Sequence, residues 1–470
     1  MRKAFYYKNY EFDAKTGVLL FQYESMGYKF DETITFPDAP FTLTQTQKKA
    51  LDLIFFYAHI AFGISYYKAF LNPQIVIESG TLTKDEADFF NAFYINGLGE
   101  FSVKNNVDIH IAFPYQEIRR EKFQFNLQDR ALVPVGGGKD SCVTIELLKV
   151  AGKQTTAISL GNPRPIHDCV QAAQIPHIVM TRKISPVLLE LNKHYSKTVL
   201  GEQMKAEEQR RGVSVRNEYM PNPSCETDVQ LPHKTVFVLN GHVPITGLIS
   251  FLLWAAAVLY DYKYVAMSCE RSANSGNMVK NGRLINHQYS KSLDYERDFY
   301  ALTSAVHPEF RYFSLLRPYS EAHIAKLFAT LCKPYFDVFT SCNKAFKLDA
   351  AKRLDRWCGM CDKCRFVFLI LAPFMDKNKL VEIVGNNPLN DISQLDGYKE
   401  LLGLSGHKPF ECVGEIQECQ WAMVQLGTDP AWQNDAVVSA LSKKIESNES
   451  DIFIHSTNHL IPEEYKNALQ

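Results

Sequence analysis

Three groups of residues in this chain have types and spacings that could do chemistry. The first is Gly136, Gly137, Gly138, Lys139, Asp140 and Ser141, inside "VPVGGGKDS", in a sequence with no other run of three glycines. The apolar stretch "RALVPV" before it reads as a buried strand, and "SCVTIELLKVAG" after it suits a packed helix. Glycines at such a turn admit positive φ and close approach of a ligand to the backbone. The first amides of the helix point outward with the positive end of its dipole behind them, so the fitting guest is a phosphate. The second group is Cys358, Cys361 and Cys364, spaced C-x2-C-x2-C, with Cys342 sixteen positions upstream. Four thiolates so spaced can close a tetrahedral Zn2+ shell, and Gly359 helps the chain bend around the ion. The third is scattered through "CERSANSGN", "NHQYSKSLDYERDF" and "SGHKPFECVGEIQECQW". Here Cys269, His287 or Cys412 could exchange a proton, while Arg271, Asn274 and Lys291 would suit a polyanionic substrate. The same residues could equally form solvated loops whose charges satisfy one another, and the last segment a helix surface.

The glycine loop can be sorted against known phosphate cradles. The commonest one needs a glycine where Val133 stands and a Ser or Thr where Asp140 stands. A dinucleotide fingerprint beginning at Gly136 would need its third glycine at Ser141. Gly137, Gly138, Asp140 and Ser141 do match the ATP pyrophosphatase loop Ser-Gly-Gly-x-Asp-Ser, with Gly136 in place of the first serine. That resemblance implies ATP whose β,γ-pyrophosphate is cradled while the α-phosphate is attacked to give an adenylate. Clustered phosphate oxygens need a hard cation, so Mg2+ is expected, with Asp140 the nearest carboxylate. Lys139 could contact a phosphate or face solvent. For the cysteines, a ferredoxin run would want a fourth cysteine where Phe368 stands, and radical enzymes use C-x3-C-x2-C, so zinc is preferred to iron–sulfur. A similar quartet follows the same loop in the deazaguanine nitrile synthases.

These groups must be held by a scaffold, and the chain divides into three parts. Residues 1–126 read as an α+β domain. "GVLLFQYE", "YKFDETITF" and "VDIHIAF" have strand-like patterning, and "LTQTQKKALDLIFFYAHIAFGISYYKAF" has helical length and an apolar face. Its many Tyr and Phe are expected to be core. Residues 127–340 have a βαβ rhythm: "ALVPV", "TTAISL", a helix near Pro165 to Gln174, "HIVM", a long polar helical stretch, "TVFVL", the helix "ITGLISFLLWAAAVLY" and "YVAMS". The expected fold class is therefore α/β, a mostly parallel, doubly wound sheet of the ATP pyrophosphatase type. Ligands in such folds gather beyond the carboxyl ends of the strands, where the glycine loop, "LGNPRP", "NGHVP" and "CERSAN" all fall. Residues 341–470 form a Cys-rich, helical C-terminal part, with "SKKIESNESD" a polar linker before a short last segment.

Composition narrows the partners. Lys plus Arg number 51 against 52 Asp plus Glu, so no overall positive field favours nucleic acid or an anionic membrane. A small-molecule substrate is expected. The N-terminus, "MRKAFYYKNYEFD", lacks a signal-peptide core, and "ITGLISFLLWAAAVLY" and "FVFLILAPF" are shorter than a membrane helix needs, which points to buried helices in a cytoplasmic protein. Eleven cysteines then read as thiols or metal ligands in a reducing compartment.

In order along the chain, "GGGKDS", "NGHVP", "CERSANSGN", "NHQYSKS", "RWCGMCDKCRFVFLILAPF" and "HKPFECVGE" resemble the UDP-N-acetylmuramoyl-L-alanyl-L-glutamate epimerases, the MurL family. The similarity runs from about 130 to 425 and more weakly over the N-terminal part. The resemblance implies ATP-dependent inversion of the terminal glutamate of a peptidoglycan precursor, with AMP and pyrophosphate released. It also makes the ATP loop chemically sensible. The glutamate nitrogen is locked in a peptide bond and cannot form a Schiff base, and a free carboxylate disfavours a neighbouring carbanion. An acyl adenylate would acidify the α-hydrogen so that a base can remove it and a proton can return on the other face. An oxazolone formed from the preceding carbonyl is an open variant. Two other readings use the same parts: an enzyme that activates a tRNA base or deazapurine for sulfur or nitrogen insertion, and a nucleotide sensor without catalysis.

Overall fold

The computed structural model describes residues 4–193, 238–347, 350–406, 408–446 and 451–469. They fall into two compact units, one of Met1–Arg120 with Thr181–Leu252 and one of Glu121–Met180 with Leu253–Gln470. The "TVFVL" segment and the polar helical stretch before it lie largely outside the described residues.

In the first unit, strands β1 (Ala4–Asp13), β2 (Val18–Ser25) and β3 (Tyr28–Thr35) form an antiparallel meander, and β4 (Gln74–Ile77) lies parallel to β1. Thr33–Thr35 of β3 pair antiparallel with Thr181–Lys183. Alternation drives this sheet: Tyr28, Phe30 and Ile34 are buried while Lys29 and Asp31 face out. Helix α1 (Gln45–Phe62) starts at a capping box in which Thr44 and Gln47 satisfy each other's backbone amides. It breaks from α2 (Ile64–Tyr67) at Gly63, where a Cβ would strike the ring of Tyr7. By length and composition Gln45–Tyr67 could cross a membrane, but 89% of that window is buried inside the fold, as befits a core helix. Helices α3 (Lys84–Gly97) and α4 (Gly99–Lys104) follow.

The aromatics of this unit are indeed core, with Tyr7, Tyr23, Tyr57, Tyr66 and Tyr94 all buried and their hydroxyls bonded, Tyr94 to the carbonyl of Ile60 at 2.7 Å. The strand expected in "VDIHIAF" does not form. Side chains there take over what a sheet ladder would supply: Asn91 accepts from the Phe113 amide at 2.9 Å, and the Tyr67 hydroxyl donates to the His110 carbonyl at 3.2 Å.

The second unit holds a five-stranded, wholly parallel sheet. Its strands are β5 (Ala131–Pro134), β6 (Thr155–Leu160), residues 177–180 of β7 (His177–Lys183), β8 (Tyr264–Met267) and, after a small hairpin of β9 (Met278–Lys280) and β10 (Arg283–Ile285), β11 (Arg311–Ser314). Their order is β11-β8-β5-β6-β7. The chain therefore leaves β5 toward β6 and β7, then returns to the other side of β5 for β8 and β11. The order reverses between β5 and β8, which is where such sheets open a crevice at their carboxyl ends. The glycine loop follows β5, and "CERSAN" follows β8.

Helix α5 (Lys139–Val150) packs against α6 (Arg164–Ala173) and against the helix Glu321–Leu331. The apolar runs meet in one core: Val133, Leu147, Phe313 and Phe328 join Phe366–Leu371 of the "FVFLILAPF" run. Residues 253–258 of the helix Ile245–Tyr260 are fully buried. The last segment is no loose tail either, since Ile461 and Tyr465 sit in the same core.

Candidate active site

The glycine loop has the backbone of a cradle. Val135 donates to the Ile158 carbonyl at 2.9 Å, which ends the strand, and the chain then turns through Gly137 at φ +75°. A Cβ on Gly137 would come within 2.9 Å of the Pro165 carbonyl carbon, so both conformation and space demand glycine. A Cβ on Gly136 would meet nothing within 4 Å, so that side of the loop is open. Gly138 caps α5 without any side-chain cap, leaving the dipole end to the backbone. Ser141 turns its hydroxyl back to the Gly138 carbonyl at 3.2 Å.

Lys139 does not face solvent. It is buried, and its ammonium bonds both Asp140 and Glu321. Burial works against this ammonium, but the two carboxylates hold its pKa well above the ordinary value. Burial likewise opposes charge on Asp140, and Lys139, with Lys363 and Lys291 behind it, keeps that carboxyl below the usual carboxylate range. Glu321 goes the other way: burial pushes it up to about 8 despite Lys139, with the Asp140 charge adding to the rise. One of its oxygens, Oε1, is buried with no hydrogen-bond partner. A half-satisfied buried carboxylate beside the glycine loop is the kind of group found where chemistry is done.

The two cysteines proposed for proton exchange have opposite surroundings. Cys412 lies in the loop before the helix Ile416–Thr428, not on a helix surface. Lys291 Nζ stands 3.2 Å from its sulfur, the His287 side chain bonds the same sulfur, and Lys363 Nζ donates to its carbonyl. Burial alone would raise the thiol, but Lys291, His287 and Lys363 outweigh it and bring the pKa down to about 6. Cys269 is buried at the end of β8, and desolvation pushes its thiol up to about 12 against the pull of Arg317 and Lys291. Lys291 thus acts on both sulfurs, and its own pKa is raised, chiefly by Cys412.

Other residues singled out from sequence are occupied with the walls. Asn274 Oδ1 accepts from the Leu293 amide at 2.7 Å, and Arg271 Nη1 donates to the Ile454 carbonyl at 3.1 Å. Arg317, buried, ties these segments together: it donates to the Glu270 carbonyl at 2.8 Å, the Lys291 carbonyl at 2.6 Å and Glu296 Oε2 at 2.9 Å.

Cys342, Cys358, Cys361 and Cys364 converge, with all four sulfurs within 4.8 Å of one another. The Cys361–Cys364, Cys358–Cys364 and Cys342–Cys361 sulfur distances are 3.5, 3.7 and 4.0 Å. A tetrahedron with Zn–S bonds of about 2.3 Å has S···S edges of about 3.8 Å, so the set fits a structural tetrathiolate metal site. The Cys361 amide also donates to the Cys358 sulfur at 3.4 Å, and Gly359 turns at φ +67° where a Cβ would collide with Asn386.

Glu321, Arg317 and Lys363 were not apparent as site residues in the sequence. Glu321 and Arg317 stand in runs without a chemical pattern. Lys363 sits inside "CDKC", where the cysteines draw attention to themselves.

Two family models match the chain, the MurL N-terminal domain over residues 1–197 and 232–315 and the MurL C-terminal domain over 338–453. The chain is 36% identical over 439 residues to a UDP-N-acetyl-alpha-D-muramoyl-L-alanyl-L-glutamate epimerase from Xanthomonas oryzae pv. oryzae, covering 92% of this chain and 88% of that one. It is 36% identical over 486 residues to a protein of the same name from Micromonospora sp., with 99% and 97% covered. A third, from Salinispora tropica, is 34% identical over 481 residues, with 99% and 95% covered.

Proposed function

The chain belongs to the MurL family of UDP-N-acetyl-alpha-D-muramoyl-L-alanyl-L-glutamate epimerases, and from that membership we propose that it is an isomerase inverting the terminal L-glutamate of UDP-N-acetylmuramoyl-L-alanyl-L-glutamate to D-glutamate. The product is a cytoplasmic peptidoglycan precursor. We further propose that ATP drives the inversion through an acyl adenylate. The glutamate α-carboxylate attacks the α-phosphorus of ATP and pyrophosphate leaves. Loss of the carboxylate charge acidifies the α-hydrogen, one group removes it, and another returns a proton on the opposite face. Water then cleaves the adenylate to AMP and the D-glutamyl product.

In this reading the backbone of Gly136, Gly137 and Gly138 and the first amides of α5 hold the pyrophosphate, with Ser141 buttressing the turn. Asp140 would hold Mg2+, which supplies charge neutralisation at the phosphates. Lys139 and Glu321 set the charge of Asp140. The part of the chain in 127–340 carries the nucleotide cradle, and 341–470 brings Cys412 and the cysteine cluster to it, the latter with Zn2+ as a structural metal.

The observation that best supports the proton-exchange half is the pair of thiols with opposed pKa values near one lysine. With a pKa of about 6, Cys412 is a thiolate at neutral pH and can accept a proton. With a pKa of about 12, Cys269 is a thiol and can give one. Two groups driven apart by their environments are what an acid and a base working on opposite faces require. His287, bonded to the Cys412 sulfur, is the relay through which that proton can reach solvent.

Incubation of the protein with the L,L-dipeptide nucleotide and Mg2+, with and without ATP, followed by chiral analysis of the released glutamate, tests this. D-Glutamate with equimolar AMP, only when ATP is present, is the expected result. D-Glutamate formed without ATP refutes the adenylate. ATP cleavage with the glutamate wholly L refutes the epimerase.

A further inference from the structure

The four-cysteine cluster is tied to the glycine loop and to the loop of Glu411 and Cys412 at three places, and its own ligands lie between the ties. Just before Cys342, the Thr340 amide donates to the Gly137 carbonyl at 2.8 Å, and the Ser341 hydroxyl sits 2.8 Å from where a Cβ on Gly138 would stand. Just after Cys342, the Asn343 side chain donates to the Glu411 carboxylate. Between Cys361 and Cys364, Lys363 donates to the Cys412 carbonyl. A clip whose only task is stability needs none of these.

Lys363 also has an unusual position for a lysine inside a metal knuckle. Such a residue is ordinarily solvated, yet Lys363 is 9% exposed. Its charge acts on Asp140, Glu321, Glu411 and Cys412 together. A lysine side chain has several rotatable bonds and loses much freedom when held in one place. Here it begins on the first turn of the helix Asp362–Leu371, flanked by ligands on both sides, so a bound metal would fix its stem.

We propose that the cysteine cluster is part of the catalytic apparatus, and that Lys363, which it carries, is a positioning residue that holds the Cys412 segment in register with the phosphate loop. This rests on Cys412 being the proton-accepting group proposed above. The groups that face the Cys412 sulfur or its peptide are Lys291 and His287 from the segment around the turn Tyr289–Lys291, Lys363 from the helix Asp362–Leu371, and Glu411 beside it in its own loop. Removing Lys363 leaves the first two in place but frees the peptide that presents the sulfur to them.

The test uses the full-length, metal-loaded protein. Alkylation of Cys412 by iodoacetamide is followed by mass spectrometry of its peptide across pH, alongside metal content and the kinetics of epimerisation. For Lys363→Gln the expected result is about one metal per chain and an unchanged melting temperature. Cys412 alkylation at pH 5, well below the midpoint of about 6, should slow about tenfold, as a one-unit rise in that midpoint would give, and by about twofold at pH 7. The rate constant kcat should fall while KM for ATP holds, and Lys363→Arg should restore most of the alkylation rate. If Lys363→Gln does not fold, Asn343→Ala carries the test through the second tie, with a smaller shift of the same sign. A metal-loaded, folded variant with wild-type alkylation and wild-type kcat overturns the inference. If instead Cys412→Ala epimerises at the wild-type rate, the proton-transfer reading is wrong, while the alkylation result still decides what Lys363 does.

Discussion

Both units bury ions, and those beside the glycine loop and Cys412 are held differently from those of the first unit. In the first, Glu32 is fully buried and is met by Arg182 Nε at 2.5 Å and by the Tyr66 hydroxyl at 2.7 Å. Glu86 is met in the same manner by Arg120 at 2.7 Å and by Tyr57. Each carboxylate has one planar cation and one phenol, in a shell of aromatic rings. In the second unit, Lys139 is shared by two carboxylates, Glu321 keeps an oxygen without a partner, and a single sulfur is faced by Lys291 and His287. Closed pairs fix a core, whereas shared and unfinished ones leave charge to be used by a ligand. The comparison predicts that damage to the first unit's ions costs stability and damage to those beside the glycine loop and Cys412 costs chemistry.

The largest effect is expected at Asp140. Asp140→Asn should lower pyrophosphate release by a factor on the order of 10³, through loss of the magnesium carboxylate, with little change in melting temperature. Wild-type release would remove Asp140 from the site. Next comes the contrast between the thiols. Since the Cys412 pKa is about 6, its thiolate fraction, and with it the rate of alkylation, should rise as pH increases through that value and level off above it. Cys269, with a pKa of about 12, should stay unreactive over the same range. Alkylation of both at one rate would erase the distinction. The smallest effect on chemistry is expected from Arg182→Met, which strands Glu32 and should cost about 3 kcal/mol of stability. Activity per folded molecule should be unchanged, and a large loss of kcat in fully folded protein would break the division between the units.

How far this could be read from sequence depends on how local each feature is. The strand, glycine turn and helix of residues 131–150 are contiguous, and three of the four clustered cysteines fall within seven residues, so spacing alone exposes them. The parallel order also follows from the alternation of strands and helices. What the sequence hides is convergence. Lys139 turns inward because Glu321 waits there from another helix, and Cys412 is activated by residues more than 100 positions earlier, Lys291 and His287. Arg271 and Asn274 looked available for a ligand because their backbone partners, Ile454 and Leu293, are set by the fold. In "VDIHIAF", alternation suggests a strand, but a side-chain acceptor on α3 and a hydroxyl on α2 supply the hydrogen bonds instead.

The central claim is that the second unit's crevice exchanges the α-proton of an ATP-activated glutamate, and heavy water tests it most directly. With ATP, Mg2+ and the L,L-dipeptide nucleotide in D2O, the D-glutamyl product should carry one deuterium at its α-carbon, because the original hydrogen goes to the Cys412 thiolate while the returning one comes from a second group, the Cys269 thiol, whose proton has exchanged with D2O. Labelled product should appear only together with AMP. Product that keeps its original α-hydrogen, or label that enters without ATP, would contradict the account.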